Sequence, residues 1–504
     1  MTLTADFFTP SRQSPIAMLL FLLKFLRITI RQAWPIVVSL VFSLRKVAFA
    51  DWVIYVIFIA IGVLYVFFSV FSYLRFRYHL REGEIVITEG VITRTTVNLP
   101  FEKIQTIDFK QNVLQQLFGV VELAIDSAGS KKQEVSLTAI PIKRAEALRE
   151  YVLEEKKSII AEHQVEEETT QTTTSPSTVI LNLSIGELLK VGITQNHIKS
   201  LGLILVFFFG IFEQFRRLTE ETELADEELQ NTVGSYVEST VTTWLWVFSI
   251  AFILVIPLAV SLVTTVFTYF NMQLSLGSDG VKLVSGLLNK KQRSTTLNKI
   301  QSVGWGSNPL QKLLGLFTMK IYPAAATTVK LKNLLTIPGS RKEQIDKVLE
   351  TLHFKEKSGG MREHRISPAY YQRALLIIGL VPTVIIAPFI FYFFTWYGLL
   401  TLLWPVFIYV EALVEYQKWR FYTNEHILQT RYGLFGIHHK VIYWHKIQAI
   451  KITQTPYQKR NNLANIVCYQ AGHQMRIPYI SLDIAQQIEQ YAMYKIETDE
   501  VGWM

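Results

Sequence analysis

The sequence predicts an α+β membrane protein with six transmembrane helices in three hairpins, each followed by a small β-barrel or sandwich with a C-terminal capping helix. Three observations predict it. Half of the 504 residues are hydrophobic, which is more than an ordinary soluble chain needs. Uncharged runs long enough to cross a bilayer recur along the chain. A stretch with fixed internal spacing occurs three times, at 89–119, 285–315 and 432–462, which indicates one structural unit used three times.

Each copy carries the same landmarks. A glycine lies 13 residues before a Lys-Ile-Gln triplet, a glutamine follows 12 residues after the triplet lysine, and a chain-reversing residue follows at 16. That residue is glycine in two copies and Asn462 in the third, and asparagine is the usual substitute for glycine at positive φ. The triplets are Lys103-Ile104-Gln105, Lys299-Ile300-Gln301 and Lys446-Ile447-Gln448. We interpret them as structural, with isoleucine in a core and the polar pair bonded to backbone at a strand start; a ligand or partner surface is the alternative.

The repeat is predicted to be a β unit closed by a helix. Apolar residues fall four and six positions after each triplet lysine, and again at 18, 20 and 22. A period of two indicates strands with one buried face. An amphipathic stripe follows each copy, for example Ala145, Leu148 and Val152 in the first. This stripe predicts a helix that packs on the strands.

In the second copy the triplet is followed by the run Pro309-Leu310-Gln311-Lys312-Leu313-Leu314-Gly315. This pattern resembles the bacterial PH-like domain of YdbS/YdbT-type membrane proteins. The first copy has Val113 in place of the proline, and the third keeps Pro456. Three such domains, each preceded by membrane helices, are similar to the longer, three-domain YdbT-like form. The resemblance implies a seven-stranded barrel with a C-terminal helix, and it implies no established activity and no cofactor.

The N-terminal region, 12–73, combines an amphipathic segment with the first transmembrane hairpin. Lys24, Arg27 and Arg31 lie on one helical face, so we expect them to face lipid phosphates at the membrane surface. A short membrane helix at 31–44 and an uncharged span from Trp52 to Tyr73 complete the hairpin.

The rest of the chain alternates domains with linkers and hairpins. The third and fourth spans are predicted near 200–215 and within 239–270, and an acidic loop, 218–241, lies between them. The uncharged run 374–410 is too long for one helix and predicts the third hairpin. The predicted segments are PH-like domain 1 at 74–157, a Thr-rich linker at 158–178, an amphipathic segment and hairpin 2 at 179–270, PH-like domain 2 at 271–354, a linker at 355–373, hairpin 3 at 374–416 and PH-like domain 3 at 417–497.

Basic residues predict the orientation in a bacterial cytoplasmic membrane. Each even-numbered span leads into a basic segment, such as Arg75 and Arg77 or Lys418 and Arg420. The positive-inside tendency then places the N-terminus and all three domains in the cytoplasm and the 218–241 loop outside. Without the seven acids of that loop, the net charge of +9 becomes +16 for the remainder, which suits an anionic inner leaflet.

Candidate chemistry is sparse. The chain lacks phosphate-loop, zinc-protease and nucleophile-elbow motifs, so we predict that it is not an enzyme.

One cysteine excludes a disulfide framework and multi-cysteine metal sites. Five of the ten histidines lie in domain 3, but adjacent His438 and His439 should face opposite sides of a strand, so no metal site is predicted. No nucleic-acid partner is predicted either, because the cations lack an interleaved aromatic platform.

The second copy carries a cationic run, Lys290-Lys291-Gln292-Arg293. It is predicted to be a hairpin tip that contacts anionic lipid, at about 1 kcal/mol per cation, or a solvated turn. Specific head-group recognition, as in eukaryotic PH domains, is an analogy of fold only.

These observations lead to a non-enzymatic integral membrane scaffold whose domains bind one another, a sibling membrane protein or the inner leaflet. The resemblance suggests a shorter YdbS-type protein as the partner, and a role in envelope stress or tolerance of membrane-active peptides. The alternative is a lipid- or peptide-handling transporter, which should show a polar cavity between its helices at mid-membrane depth.

Overall fold

The computed structural model describes residues 7–27, 51–127, 135–163, 178–194, 202, 210, 255–277, 280–324, 334–355 and 358–498. The chain divides into two compact units. Unit 1 comprises residues 1–175 and 288–294, and unit 2 comprises residues 176–287 and 295–504. The first triplet belongs to unit 1 and the other two belong to unit 2.

Unit 1 is built from the first repeat. Helix α1 (16–27) is followed by α2 (Asp51–Arg75), β1 (Arg77–Arg81), β2 (Glu84–Glu89), β3 (Thr95–Pro100), β4 (Ile104–Gln111), α3 (Val113–Leu117), β5 (Val120–Ser127), β6 (Val135–Pro141) and α4 (Ile142–His163). Strands β1-β2-β3 form one antiparallel sheet and β4-β5-β6 belong to another. The predicted stripe of α4 is buried against both sheets, since Ala145, Leu148 and Val152 share a core with Ile85 and Leu123.

The first barrel has six named strands in place of the seven that the resemblance implies. The seventh position is taken by Ser11, which exchanges two backbone hydrogen bonds with Tyr78 of β1, at 2.9 and 3.0 Å. Phe7 is buried in the same core. The N-terminal segment is therefore part of this barrel.

Unit 2 begins with the second repeat. Its elements are β7 (Thr178–Asn182), α5 (Ile185–Thr194), α6 (Val255–Tyr269), β8 (Gln273–Gly277), β9 (Gly280–Ser285), β10 (Lys290–Thr295), β11 (Ile300–Ser307), α7 (Pro309–Leu313), β12 (Phe317–Pro323), β13 (Leu335–Ser340) and α8 (Lys342–Thr351). All of these elements lie in unit 2 except most of β10, because residues 288–294 belong to unit 1. Its core joins both sheets to α5 and α8 through Leu188, Leu274, Ile321 and Val348.

The third repeat completes unit 2. It consists of β14 (Arg362–Arg365), α9 (Ala369–Phe393), α10 (Gly398–Lys418), β15 (Arg420–Thr423), β16 (Ile427–Tyr432), β17 (Ile437–Tyr443), β18 (Ala449–Thr453), α11 (Pro456–Arg460), β19 (Leu463–Gln470), β20 (His473–Ser481) and α12 (Leu482–Thr498). Strands β13-β12-β11-β17-β16-β15-β14 form one seven-stranded sheet, and β18-β19-β20 form a separate one.

The first strand of the second and third barrels precedes the membrane hairpin. Strand β7 pairs with β8, and β14 pairs with β15, so the predicted hairpin of each repeat is inserted between two paired strands. The predicted 355–373 linker includes Arg362–Arg365, and the predicted Thr-rich linker ends at 178. Strand β7 instead starts at Thr178, and β14 lies inside the predicted 355–373 linker. The residues of β14 pair although they are polar and lack a buried alternating pattern, since backbone groups alone form the ladder.

Two helices of the described chain are long and apolar enough to cross a membrane, α9 and α10. They correspond to the predicted hairpin 3. Two shorter apolar helices, Ile59–Arg75 and Val255–Tyr269, overlap the predicted second and fourth spans. The predicted first span at 31–44, nearly all of the third span and the 218–241 loop lie outside the described residues, as does Arg31.

The repeated glutamine and the chain-reversing residue acquire a role in the structure. Gln115, Gln311 and Gln458 are buried and close capping boxes with Asn112, Asn308 and Thr455 at the start of α3, α7 and α11. Each side chain thereby satisfies a backbone N–H that the helix leaves unpaired. Asn462 has a φ of 51°, as predicted, and Gly119 and Gly315 have 63° and 66°.

Candidate partner interface

The repeats are joined by strand pairing rather than by side-chain contact alone. We call β3, β10 and β17 the pre-triplet strands and β4, β11 and β18 the post-triplet strands. Within unit 1, β10 pairs antiparallel with the outer edge of β4. Within unit 2, β17 pairs in the same way with β11. In each junction a pre-triplet strand extends the second sheet of the preceding repeat.

The two junctions have the same register. The residue eight positions after one triplet lysine faces the residue nine positions before the next: Gln111 faces Lys290, and Ser307 faces Ile437. Three residue pairs are in register in the first junction and six in the second. Equal register in two places shows that one docking geometry is repeated along the chain.

The first junction contains a buried carboxyl group. Burial raises the pKa of Asp108 to about 6, against the opposing effects of Arg293, the Ser294 backbone and Arg149. Arg149 donates from Nη2 to Ser294 Oγ at 2.9 Å, and its guanidinium lies 5.4 Å from the Phe109 ring centre. Burial also lowers the pKa of Arg149. The charges of the first repeat thus hold β10 in place through a compact polar cluster.

The second junction surrounds a buried lysine. Lys440 on β17 has a side chain that donates from Nζ to the Gln474 carbonyl at 2.9 Å and lies 4.6 Å from the ring centre of Tyr322. Tyr322 also meets His473 edge to face at 4.8 Å. Burial lowers the pKa of Lys440 to about 8 and raises that of Tyr322 to about 12. These residues come from both repeats, so the polar cluster exists only when the repeats are joined.

Apolar packing supports the same junction. Ile427 and Val441 of the third repeat belong to the hydrophobic core of the second barrel. The Tyr443 ring stacks on Phe354 at 4.2 Å and its hydroxyl donates to the Leu352 carbonyl at 2.6 Å. The second barrel is therefore completed by side chains that the third repeat supplies.

The isoleucine of each triplet lies in a core, and the structural role of the triplets stays a prediction. In each copy the lysine ends a short 3-10 turn and the isoleucine begins the post-triplet strand. Ile104, Ile300 and Ile447 are buried, with 2%, 3% and 1% of their surface exposed. The Gln301 side chain donates to the Lys299 carbonyl at 3.4 Å. Gln105 lies on β4, and the Gln448 backbone N–H donates to the Tyr469 carbonyl at 2.8 Å.

One triplet also contributes to a junction. Lys446 is 5% exposed and its Nζ donates to the Asn298 carbonyl of the second repeat at 2.8 Å, whereas Lys103 is exposed. Gln470 likewise donates from Nε2 to the Gln301 carbonyl at 2.9 Å. The sequence predicts only contacts within the same repeat for Lys446 and Gln301. No sequence signal distinguishes Lys446 from Lys103, because the difference is whether a neighbouring repeat covers it.

The cationic run is a strand and not the predicted hairpin tip. Residues Lys290–Thr295 form β10, and Lys291 lies opposite Lys110 in the first junction. Arg293 is half-buried beside Asp108, which leaves Lys290 and Lys291 as the exposed cations of the run. The tip prediction failed because β10 pairs with another repeat, which local sequence does not show. That these cations contact lipid stays a prediction.

The N-terminal cations lie on the helix that was predicted for them. Lys24 and Arg27 are exposed on α1, whose opposite face packs Ala17 and Leu20 against Val120 and Ala139 of the first barrel. An amphipathic helix fixed on a barrel with its cations exposed is suited to a membrane surface.

Two histidines of the third repeat, His439 and His473, contact aromatic residues of the second. His439 stacks on Trp305 of the second repeat at 5.1 Å between ring centres, while His438 lies 5.9 Å from Tyr432. Burial lowers the pKa of His439 and His473 to about 4. In the part of the chain that the structure describes, no three histidine, cysteine or acidic side chains are grouped closely enough to hold a metal ion.

Hairpin 3 is attached to the third barrel by specific contacts. The Tyr370 hydroxyl donates to Glu415 at 2.7 Å and its ring meets Tyr479 of β20, with 5.8 Å between ring centres. The Arg373 guanidinium lies 4.4 Å from the Tyr457 ring centre. The membrane helices and the barrel therefore form one packed body within unit 2.

This architecture defines a class of protein: PH-like barrels in tandem, joined by strand pairing and anchored by apolar helices. A sequence profile described as "Bacterial PH domain" matches residues 25–156, 229–355 and 374–496. The chain belongs to the bacterial PH domain family. It is similar to the "UPF0699 transmembrane protein YdbT" of Bacillus subtilis (strain 168), with 26% identity over 428 residues that cover 81% of this chain and 83% of that relative. The resemblance drawn from the triplets is confirmed, and the chain is a YdbT-like transmembrane protein with repeated bacterial PH domains.

Proposed function

We propose that this chain is a non-enzymatic membrane scaffold whose three PH-like domains bind one another, a protein partner and the anionic inner leaflet. The observation that carries the proposal is the repeated junction, in which a strand of one repeat docks on the sheet of another in one register. Strand addition to a sheet edge is a general mode of protein recognition. A chain that uses strand addition twice between its own repeats has sheet edges suited to binding other barrels.

The chemistry of the buried groups also favours binding over catalysis. Lys440, Tyr322 and His473 form a cluster of groups with perturbed pKa values, but they lie at a junction between sheets. Perturbed pKa values mark catalytic sites only when the groups face a cleft that a substrate can enter. Here the same shifts follow from the burial that joins two repeats. Membership of a family of membrane proteins with PH-like domains agrees with a non-enzymatic role.

We propose a membrane arrangement of six helices in three hairpins. Support comes from hairpin 3, where α9 follows β14 directly and α10 leads directly into β15. Since β14 and β15 pair with each other, both ends of this hairpin return to the same side as its barrel. An equal insertion in the second repeat, together with the basic segments, supports a cytoplasmic location for the N-terminus and all three domains, with 218–241 outside.

Hairpin 3 favours a scaffold over a transporter. Its helices contact each other through small and apolar groups such as Gly379 and Pro405. The hydroxyls of Thr383 and Thr401 donate to carbonyls of their own helices, at 2.8 and 2.6 Å. A transport path requires polar groups that face a shared cavity. The close approach of Gly379 to Pro405 and the hydroxyl bonds within each helix support the scaffold over the transporter.

A native purification tests the function. The full-length chain is extracted from its own membranes in mild detergent, and the proteins and lipids that remain bound are identified by mass spectrometry. We expect a near-stoichiometric protein partner, with a shorter YdbS-type membrane protein as the first candidate, together with anionic lipid. A defined peptide or lipid in the absence of any protein partner would contradict the scaffold and favour the transporter.

The physiological role is proposed from the family resemblance alone. We propose that the scaffold acts in envelope stress or in tolerance of membrane-active peptides. Cells that lack the gene should then be more sensitive to such peptides, and the full-length gene should restore growth. Unchanged sensitivity would remove this part of the proposal without affecting the scaffold itself.

A further inference from the structure

In the described part of the chain, two strands have an unpaired outer edge, although the equivalent strands of the other repeats pair through that edge. Every pre-triplet strand except β3 docks on a post-triplet strand, and every post-triplet strand except β18 receives one. Strand β3 ends the first sheet of unit 1, and β18 ends the last sheet of unit 2. Among the described strands, no neighbour pairs with the outer edge of either one. The chain therefore carries one unused half of the junction in its first repeat and the complementary half in its last.

We propose that β3 of one copy of the chain docks on β18 of a second copy, so that the chains assemble head to tail. The proposal rests on the scaffold function and specifies its partner as another copy. A second copy is the occupant that the structure favours, because each chain offers both halves of a docking geometry that it already uses twice. An interface of this heterologous kind produces a ring or an open filament.

The shared register predicts which residues meet. Applying the spacing of the two formed junctions, Thr453 faces Thr95, Ile452 faces Thr96 and Lys451 faces Val97. The equivalent pairs in the formed junctions are Lys110 with Lys291, Phe109 with Gln292, Gly306 with His438, Trp305 with His439 and Gly304 with Lys440.

The surfaces are compatible with that pairing. Thr95, Thr96 and Lys451 are exposed, and Ile452 and Thr453 are half-buried. In the three pairs named above no two like charges face each other, which avoids the destabilising repulsion that Lys110 opposite Lys291 introduces in the first junction. Lys451 on an otherwise unguarded edge also limits pairing with unrelated strands. The β-branched residues on both edges favour an extended partner.

The geometry sets a sharp cysteine test. Residues directly opposite in an antiparallel pair have Cα atoms about 4.5 or 5.5 Å apart, within the range that a disulfide spans. A slip of one residue turns the side chain to the other face of the sheet. Cys468 is fully buried, and a Cys468→Ala background removes the native thiol from the experiment.

Two full-length chains with different affinity tags are produced together in the same membranes, one with Thr95→Cys and the other with Thr453→Cys. After mild oxidation we expect a disulfide-linked species that has twice the mass of the chain and carries both tags. Neither variant alone should yield this species, because each lacks the complementary half. The matched control, Thr96→Cys with Thr453→Cys, should give little product because its cysteines face opposite sides of the sheet.

A reference pair makes a negative result decisive. Lys110→Cys and Lys291→Cys placed in one chain occupy the equivalent positions of the formed first junction, and they should form an internal disulfide. Formation of this reference bond without any Thr95–Thr453 product would overturn the proposal. So would equal product from the slipped control. Placing Thr95→Cys and Thr453→Cys in one chain must give linked dimers and higher oligomers, and an internal bond without any linked oligomer would contradict docking between copies. Failure here leaves the partner found in the native purification unaffected, so the two proposals fail separately.

Discussion

The Nζ atom of Lys440 lies 4.6 Å from the centre of the Tyr322 ring, and the two residues belong to different repeats. Lys440 lies on a strand of the third repeat and Tyr322 on a strand of the second. A buried ammonium group over an aromatic ring gains cation–π stabilisation, which is larger when water is excluded. The contact exists because the third repeat adds its strand to the sheet of the second. The predictions below test this junction and the features that recur in each repeat.

The titration of Lys440 should make the free energy of unfolding depend on pH in the alkaline range. Burial lowers its pKa from 10.5 to about 8, so the unfolded chain holds more protons between these values. The free energy of unfolding should therefore rise as pH increases from 8 to 10.5, by up to about 3 kcal/mol from this group. Lys440→Met should abolish that rise when thermal unfolding midpoints are compared across pH in detergent. If the unfolding midpoints of Lys440→Met depended on pH in the same way as those of the wild type, Lys440 would not be the group responsible for the rise.

The junction histidines should make the protein sensitive to acid. Burial lowers the pKa of His439 and His473 from 6.5 to about 4. Below pH 6.5 the unfolded chain takes up protons that the folded chain excludes. The free energy of unfolding should fall as pH drops from 6.5 to 4, by up to about 1.4 kcal/mol per pH unit for each group. His439→Gln and His473→Gln should each weaken this fall, measured as the unfolding midpoint against pH. The exposed His426→Gln serves as the control, and an equal effect there would refute the prediction.

The second junction should tolerate no side chain at Gly306. A Cβ atom there would lie 2.1 Å from His438 Nδ1 and 2.8 Å from the Ile437 carbonyl oxygen. Gly306→Ala should therefore separate β17 from β11 and lower stability by about 1–3 kcal/mol. Thermal unfolding and limited proteolysis would both report the change. Gly359→Ala is the matched control, because its Cβ would meet nothing within 4 Å. Equal stability of the two variants would show that the junction can shift.

The recurring glutamine should be a stability determinant. Gln458 accepts from the Thr455 backbone N–H at 2.9 Å and donates to Asn465 Oδ1 at 3.0 Å, with no exposed surface. Gln458→Met fills the same space but removes the oxygen that accepts from the Thr455 N–H and from Asn465 Nδ2. We expect a loss of about 2 kcal/mol in the free energy of unfolding. The exposed Gln486→Met should change stability little. A loss at position 458 no larger than at 486 would show that water replaces the capping bonds.

The exposed cations of β10 should enrich anionic lipid around the protein. The double variant Lys290→Gln/Lys291→Gln leaves Arg293 and Asp108 intact, so the first junction is preserved. In nanodiscs of mixed anionic and zwitterionic lipid, native mass spectrometry should show fewer retained anionic lipids, with each lysine contributing about 1 kcal/mol. The difference should shrink as salt increases. Lys342→Gln/Lys347→Gln, an exposed pair on α8, provides the control. Equal retention in both double variants would place lipid contact elsewhere.

The sequence by itself determined the repeated unit. Fixed spacing located the triplets and the positive φ of Asn462, while a period of two identified strands such as β5 and β12. Helical stripes predicted α4, α8 and α12. These features are local: each depends on residues a few positions apart, whose polarity and φ preferences are written in the chain. The six-helix arrangement and its orientation stay predictions, since much of that region lies outside the described residues.

Only the tertiary structure decided how the repeats connect. It showed that Lys290–Thr295 is a strand docked on β4 and not a hairpin tip. It showed that Arg362–Arg365 begins a barrel and not a linker, and that Lys446 bonds a neighbouring repeat while Lys103 does not. The physical reason is the same in each case. Strand pairing across an edge uses backbone N–H and C=O groups that every residue carries, so the amino-acid pattern does not specify which edges meet.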